Sequence, residues 1–272
     1  MSDAREPNAG GERRLSAPSR RSQVVVRIDA HVHSEASYDA ETPVERVLER
    51  ARDVGLDGVV VTDHDAVGES LRAAALAPEY GLIGIPGVEV STADGHLLAV
   101  GVERAPEPGR PLAETAATVR SLGGVAVVPH PFQRIRHGVR RRTLAGSGDG
   151  GREADGGEKA HEGQGDGAGG APVDGIEIYN AHTLTGVRNA QAAAFARAHG
   201  LPGFGGSDAH RADLVGRAYT EVTVVAAGPI DADAVVEAMR AGRTRAHGRR
   251  ITVRGYVRKY ARNVRLKTTS ML

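Results

Sequence analysis

Eight short apolar runs recur along the chain, and their brevity constrains the fold more than any other feature. They are VVVRIDAHVH (24–33), GVVVTDHD (58–65), LIGIPGVEVS (82–91), HLLAVGV (96–102), VAVVPHP (125–131), GIEIYN (175–180), PGFGGSDAH (202–210) and AYTEVTVV (218–225). Continuous Val/Ile runs of this length suit strands covered on both faces, as in parallel sheets. Amphipathic stretches separate them at Pro43–Asp53, Leu112–Leu122, Gly186–His199 and Asp231–Ala241. Thr42 reads as an N-cap, with Pro43 at the first helical position and Glu45 in the first turn. Repeated βα units of this number predict an α/β barrel of the TIM type, or a relative with one strand fewer. An open doubly wound sheet is the alternative, and no Walker pattern, nor any G-x-G-x-x-G outside the Gly-rich stretch at 146–171, supports a nucleotide-binding version of it.

Three other segments differ in character. Residues 1–22 mix Pro, Ser, Gly and Arg without apolar periodicity and read as a disordered leader. Residues 146–171 hold 11 glycines in 26 positions with six acids and two bases. Such a stretch buries too little apolar surface to offset its ordering entropy, so it reads as a flexible insertion within a domain spanning 23–246. The last 26 residues, 247–272, carry eight Arg/Lys and no acid, so the formal charge of +1 conceals an acidic body and a basic tail. No apolar run approaches the ~18 residues of a membrane span, and the start lacks the apolar middle of a secretory signal. A soluble cytoplasmic protein without a membrane partner is the expectation.

Cysteine is absent, which removes disulfides, thiolate metal sites, iron–sulfur clusters and thiol catalysis. A tightly held metal would have to sit on carboxylates and some of the 11 histidines. Their placement is informative. His31 and His33, Asp63 and His64, Glu89, His130, Asp208 and His210 all fall at the C-terminal ends of apolar runs, the end at which parallel barrels form active sites. His31-Val-His33 puts two imidazoles on one face of a strand, and Asp208-Ala-His210 repeats the spacing. His130 is fixed between two prolines. Each piece alone has an ordinary reading: a satisfied polar cluster at a strand end, a surface charge, a turn histidine. Asp39 is a ligand from the first βα loop or merely a polar residue before a helix. His96 opens its run, at the wrong end for such a mouth if its strand is parallel; it is either reached from a short hairpin after Glu89 or a strand-start polar residue.

Taken in order, DAHVHS (29–34), VTDHD (61–65), PGVEVS (86–91), PHP (129–131) and SDAH (207–210) resemble the PHP family, named for phosphoesterase domains of DNA polymerases and of one type of histidinol phosphatase. The resemblance implies a distorted (β/α)7 barrel with up to three metal ions in its mouth. It implies His31, His33, Glu89 and Asp208 at one site, Glu89 bridging to a second with His130 and His96, and His64, His210 and Asp39 at a third. Asp29 and Asp63 would then orient imidazoles by accepting their other N–H. Glu89, Asp208 and His210 are the expected catalytic groups.

Imidazole and carboxylate donors suit two to three divalent ions such as Mn2+, Zn2+ or Fe2+. Paired ions of this kind activate water for hydrolysis of a phosphate ester. Arg134 and Arg136, in the loop after PHP, are the expected substrate-binding cations; Arg140–Arg142 extend the basic run, and Asn180 and His182 also face the mouth. The leading expectation is a phosphatase on a small phosphomonoester, with a nucleotide or nucleoside bisphosphate as candidate substrate. The competing expectation is an RNA or DNA nuclease whose basic tail, with Tyr256 and Tyr260, grips the polynucleotide.

Overall fold

A computed structural model describes residues 22–146, 172–183 and 185–250. The expected leader up to residue 21, the Gly-rich insertion from 147 to 171 and the tail beyond Arg250 lie outside the described residues. The strands are β1 (Ser22–Val32), β2 (Gly58–Val61), β3 (Ile83–Gly84), β4 (Gly87–Thr92), β5 (Gly95–Val100), β6 (Val125–Val128), β7 (Gly175–Asn180), β8 (Gly203–Gly206), β9 (Ala218–Ala226) and β10 (Thr244–Gly248). The helices are α1 (Val44–Asp53), α2 (Gly68–Leu76), α3 (Leu112–Ser121), α4 (Arg141–Ala145), α5 (Val187–His199) and α6 (Ala232–Arg240).

All eight expected runs contain strand, but run 82–91 divides at Pro86, which has no N–H to give a ladder, into β3 and β4. Helices α2 and α4 and strand β10 go beyond the sequence expectation. So does the start of α1: Pro43 (φ −56°, ψ 146°) is itself the cap, with no side-chain cap bond, while the Thr42 carbonyl accepts from the Glu35 N–H. The expected Thr42 cap is therefore wrong, because the chain turns helical only after the extended proline.

The strands form two five-stranded sheets, in the orders β10-β9-β1-β2-β3 and β4-β5-β6-β7-β8. The parallel pairing expected of a TIM-type barrel fails twice, the second time as the hairpin reading of His96 allowed. β9 is antiparallel to β1 and β10, and β5 is antiparallel to β4 and β6. Among the described residues the ladders do not close into one continuous barrel; isolated parallel bridges pair Val32 with Ala209 and His64 with Glu89.

One apolar core lies between the sheets, built from Val26, Ile28 and Ala30 of β1, Val60 of β2, Leu98 and Val100 of β5, Val125 and Val127 of β6, and Phe204 of β8, and α6 adds Val235, Val236 and Met239. Two outer cores pack α1 and α2 on β1 and β2, and α3 and α5 on β4 to β7. Helix α6 is capped by Asp231, whose side chain accepts the Ala234 N–H at 2.9 Å. Among the described residues no helix is long and apolar enough to cross a membrane.

Candidate metal centre

The polar ends of the strands gather above the inner core. In β1 the pairing with β2 slips between Asp29 and Val32, so the chain carries one residue more than its partner there. A bulge of this kind re-aims side chains. Val26, Ile28 and Ala30 face the inner core and Val32 the outer one, while His31, within the slip, and His33, just beyond it, point into the mouth. The antiparallel β5 settles where His96 belongs. Its start lies at the mouth, opposite Ser91 in the β4–β5 hairpin, and its Nδ1 is 2.9 Å from Glu89 Oε1. His130 (φ 29°) and Asp208 (φ 53°) both adopt left-handed backbone at strand ends. Non-glycine residues are strained there, and such strain collects at functional sites.

Glu89, 1% exposed, is the hub. Its Oε2 lies 3.3 Å from His31 Nε2, 3.2 Å from His33 Nε2 and 3.5 Å from His64 Nδ1. Its Oε1 lies 3.1 Å from His130 Nε2, besides the His96 contact. Asp208 Oδ1 faces His31 and His33 at 3.8 and 3.9 Å, His210 Nδ1 at 3.3 Å and His182 Nδ1 at 3.7 Å. Asp39 closes the third side, with Oδ2 2.8 Å from His210 Nε2 and Oδ1 3.8 Å from His64 Nε2.

Five sets of donor atoms are close enough to share an ion: His33, Asp39, His64 and His210; His31, His33 and Asp208; His31, Glu89 and His130; His64, Glu89 and His96; and His182, Asp208 and His210. Asp39 Oδ1, His64 Nδ1, His130 Nδ1 and Asp208 Oδ1 are buried with no hydrogen-bond partner. Such atoms are costly unless something satisfies them, and cations among them would. The donor set, imidazole and carboxylate without thiolate, fits divalent transition ions.

Electrostatics point the same way. Burial works against an ionised Glu89, but His31, His96 and His130 outweigh it and hold the carboxyl well below its usual range. Burial likewise opposes charge on His31, and Glu89 and Glu177 overcome it, raising the imidazole to about 9. Desolvation keeps His64 and His130 neutral, at about 4 and about 3. Near pH 7 the hub is thus a carboxylate beside the neutral rings of His64 and His130, the forms that ligate metals, and beside a protonated His31.

The structure brings together all nine residues expected as ligands: His31, His33, Asp39, His64, Glu89, His96, His130, Asp208 and His210. His182 joins them. Two expected supports do not orient rings directly. Asp29 accepts from the backbone N–H groups of His31, Ser207 and Gly216, tying β1 to the segment after β8. Asp63 accepts from the Ser34 N–H and from the hydroxyls of Ser34 and Ser37, so it reaches His33 only through Ser37, 3.0 Å from His33 Nδ1. Outside the grouped donors, a carboxylate that does touch one of these imidazoles is Glu177 of β7, 3.2 Å from His31 Nδ1. Its signal in the sequence is a lone acid between Ile176 and Ile178. Arg136 is engaged by Asp208 and by Asn180 Oδ1, the latter at 3.2 Å.

The PHP domain profile matches residues 29–141, and a PHP-associated profile matches 186–244. The chain belongs to the PHP family. It is accordingly a metal-dependent phosphoesterase, a hydrolase, and its buried donor groups are consistent with a polynuclear divalent metal site. Among curated relatives, an uncharacterized protein of Methanocaldococcus jannaschii is 22% identical over 174 residues, 60% of this chain and 87% of that one. A 3',5'-nucleoside bisphosphate phosphatase of Chromobacterium violaceum is 38% identical over 85 residues, 30% of each chain. The fold is similar to that of a two-domain Bacteroides vulgatus protein containing a predicted PHP-like metal-dependent phosphoesterase, at a TM-score of 0.60 and 19% identity, covering 93% of this chain and 75% of that one. It is also similar to a lesion-specific endonuclease from Pyrococcus furiosus, at 0.52 and 16%, covering 82% and 58%.

Beside the PHP donors opens a cavity of about 680 Å³, within the range of small-molecule sites. His96 connects it to the cluster, and Tyr38, Arg134, His137, Arg140 and Arg142 line it. Tyr38 stacks on His64 with ring centres 4.8 Å apart. The wall is pinned to the β4–β5 hairpin by the His96 N–H donating to the His137 carbonyl at 2.9 Å. Gly95 (φ 132°) permits this approach, since a Cβ there would run into the His137 carbonyl.

Proposed function

We propose that this chain hydrolyses a small phosphomonoester, with a nucleotide or nucleoside bisphosphate as the substrate class. The observation that carries this reading is the convergence of ten buried or half-buried His, Asp and Glu donors beside an arginine-lined cavity of small-molecule size. The local likeness to a nucleoside bisphosphate phosphatase supports the substrate class.

Two to three divalent ions, Mn2+, Zn2+ or Fe2+, fit the donors. His31, His33, Glu89 and Asp208 would hold one, Glu89, His96 and His130 a second, and Asp39, His64 and His210 a third. When bound, such ions activate water and offset phosphoryl charge. Glu89, Asp208 and His210 are assigned catalytic roles: Glu89 and Asp208 would keep negative charge at the centre, and His210 would hold its imidazole beside them where the ions act. Arg134 is the substrate-facing cation, while Arg136 meets the phosphate from its place against Asp208. On this reading β1, β2 and β4 to β8 are the seven strands of a distorted barrel within a domain spanning 23–246, a reading that the two isolated bridges between the sheets support.

The test is a screen with Mn2+ across mononucleotides, nucleoside bisphosphates, an aryl phosphate, short RNA and short DNA. Phosphate release from monoesters, lost in H33A and D208A, is expected, with two to three ions per chain by elemental analysis. Chain cleavage without monoester hydrolysis would overturn the reading in favour of a nuclease, for which the basic tail at 247–272 lies, beyond residue 250, outside the described residues.

A further inference from the structure

We propose that Glu177, with Asn180, is the positioning pair of this centre, setting which nitrogen of His31 faces the metal and holding His130 and Asp208 in place from a third strand. The inference rests on the reading of the cluster as a metal site. Glu177 is 2% exposed and Asn180 fully buried, both on β7, and neither is among the grouped donors.

Both oxygens of Glu177 are used. Oε2 accepts the His130 backbone N–H at 2.7 Å and an Asn180 Nδ2 hydrogen at 2.8 Å. Oε1 faces His31 Nδ1 at 3.2 Å. A carboxylate only accepts, so His31 Nδ1 carries the proton. The other nitrogen, Nε2, turns to Glu89 and Asp208 at 3.3 and 3.8 Å, where ligation needs it bare. Asn180 extends the arrangement: its Nδ2 also donates to Asp208 Oδ2 at 2.9 Å, and its Oδ1 accepts from Arg136. One buried pair thus reaches ligands at the ends of β1, β6 and β8. The neighbouring strand leaves room for it: a Cβ on Gly206 would collide with Glu177 Oε1 and lie 2.7 Å from His31 Cβ.

Glu177→Gln isolates the idea, because it keeps shape and volume while adding two donors. If the amide oxygen stays on the His130 N–H, its NH2 opposes His31 Nδ1, and the ring must move its proton to the metal-facing nitrogen. If the amide flips, the NH2 opposes the His130 N–H and the Asn180 amide instead. Either arrangement damages a ligand. The experiment measures Mn2+ affinity of the full chain by competition with a fluorescent chelator, alongside thermal unfolding of the metal-free protein. E177Q is expected to bind Mn2+ about 10- to 100-fold more weakly than the unaltered chain. A dissociation constant within twofold of the unaltered protein would overturn the proposal. A double variant guards against a general folding defect: E177Q added to H31A should cost much less affinity than E177Q alone, and an undiminished further loss would refute action through His31. Should the unaltered chain bind no metal at all, the metal-site reading itself fails, which is a separate result from E177Q binding as well as its parent.

Discussion

Gly206→Ala is the sharpest structural test of how the centre is packed. Gly206 ends β8, and its backbone is not in the left-handed region, so the substitution adds only a methyl. That methyl would stand 2.7 Å from His31 Cβ, about 0.7 Å inside the 3.4 Å at which ordinary contact begins, and closer still to Glu177 Oε1. Neither neighbour can yield freely. His31 is 0% exposed and set in β1, and Glu177 is held through Oε2 by the His130 N–H and Asn180. Overpacking of this kind costs about 1–3 kcal/mol. At ~2–4 °C per kcal/mol for a chain of this size, the unfolding midpoint should fall by roughly 2–12 °C. The displaced pair should also weaken metal binding, and each tenfold rise in the dissociation constant removes about 1.4 kcal/mol from the stabilisation that saturating Mn2+ provides. Calorimetry with and without Mn2+ reads both effects. Gly68→Ala is the control: Gly68 opens α2, nothing lies within 4 Å of its Cβ position, and its backbone is ordinary, so the midpoint should hold or rise. A G206A protein as stable as its parent, with an undiminished Mn2+ gain, would refute the packing argument.

Two further outcomes follow from the core and the charges. Phe195→Ala empties a fully buried site between α5 and the outer sheet face and should cost about 3–5 kcal/mol in denaturant unfolding while leaving the number of bound ions unchanged; a lost ion would show that the outer core also sets the site. Because Glu89 and Glu177 raise His31 to about 9 in the metal-free fold, the protonated ring stabilises that fold below about 6.5, and this contribution is lost as pH rises through about 9. Mn2+ affinity should therefore climb between pH 7 and 9 with release of a proton, measurable by titration calorimetry in buffers of different ionisation enthalpy; a flat profile would contradict the charge assignment.

What could be read from the sequence follows a simple physical rule. A polar residue directly after a buried strand has few places to go except the end of the sheet, so His31, His33, His64, His130, Asp208 and His210 were legible from the ends of apolar runs alone. Direction was harder. HLLAVGV has the same composition whichever way it runs, and only Asp94-Gly95, a hairpin-type pair, signals that β5 turns back and carries His96 to the mouth. Asp29 and Asp63 occupy the same kind of position as the grouped residues, yet their carboxylates serve backbone N–H and hydroxyl groups, a choice made by the slip in β1 and by Ser34 and Ser37. Strand β10, TRAHG, is too polar for any apolar pattern to reveal. It exists because β9 offers it a ladder. That Arg136 would be taken by Asp208 depends on a contact 72 residues away in sequence.

The donors also bear on how the two sheets stay together. His31, His33, Asp39 and His64 come from the sheet of β1 and β2 or its loops, whereas Glu89, His96, His130, His182, Asp208 and His210 come from the sheet of β4 to β8. Four of the five donor sets draw from both sides, and the exception is His182, Asp208 and His210. The backbone joins the sheets at the same level, where the His33 N–H donates to Ala209 at 2.8 Å, Asp208 to His31 at 2.7 Å, and Asp65 to Glu89 at 2.9 Å. Ions held by the donors would clamp this seam, whereas the ladder inside each sheet, and the apolar core below, need no such help. Local opening is cheapest where few bonds oppose it. Chelation should therefore speed amide exchange at His33, Asp65 and Asp208 selectively. Amides of Val26 and Ile28, inside the β1–β9 ladder, should exchange at unchanged rates. Equal acceleration at both places would mean that the metals stabilise the fold as a whole rather than closing the seam between its sheets.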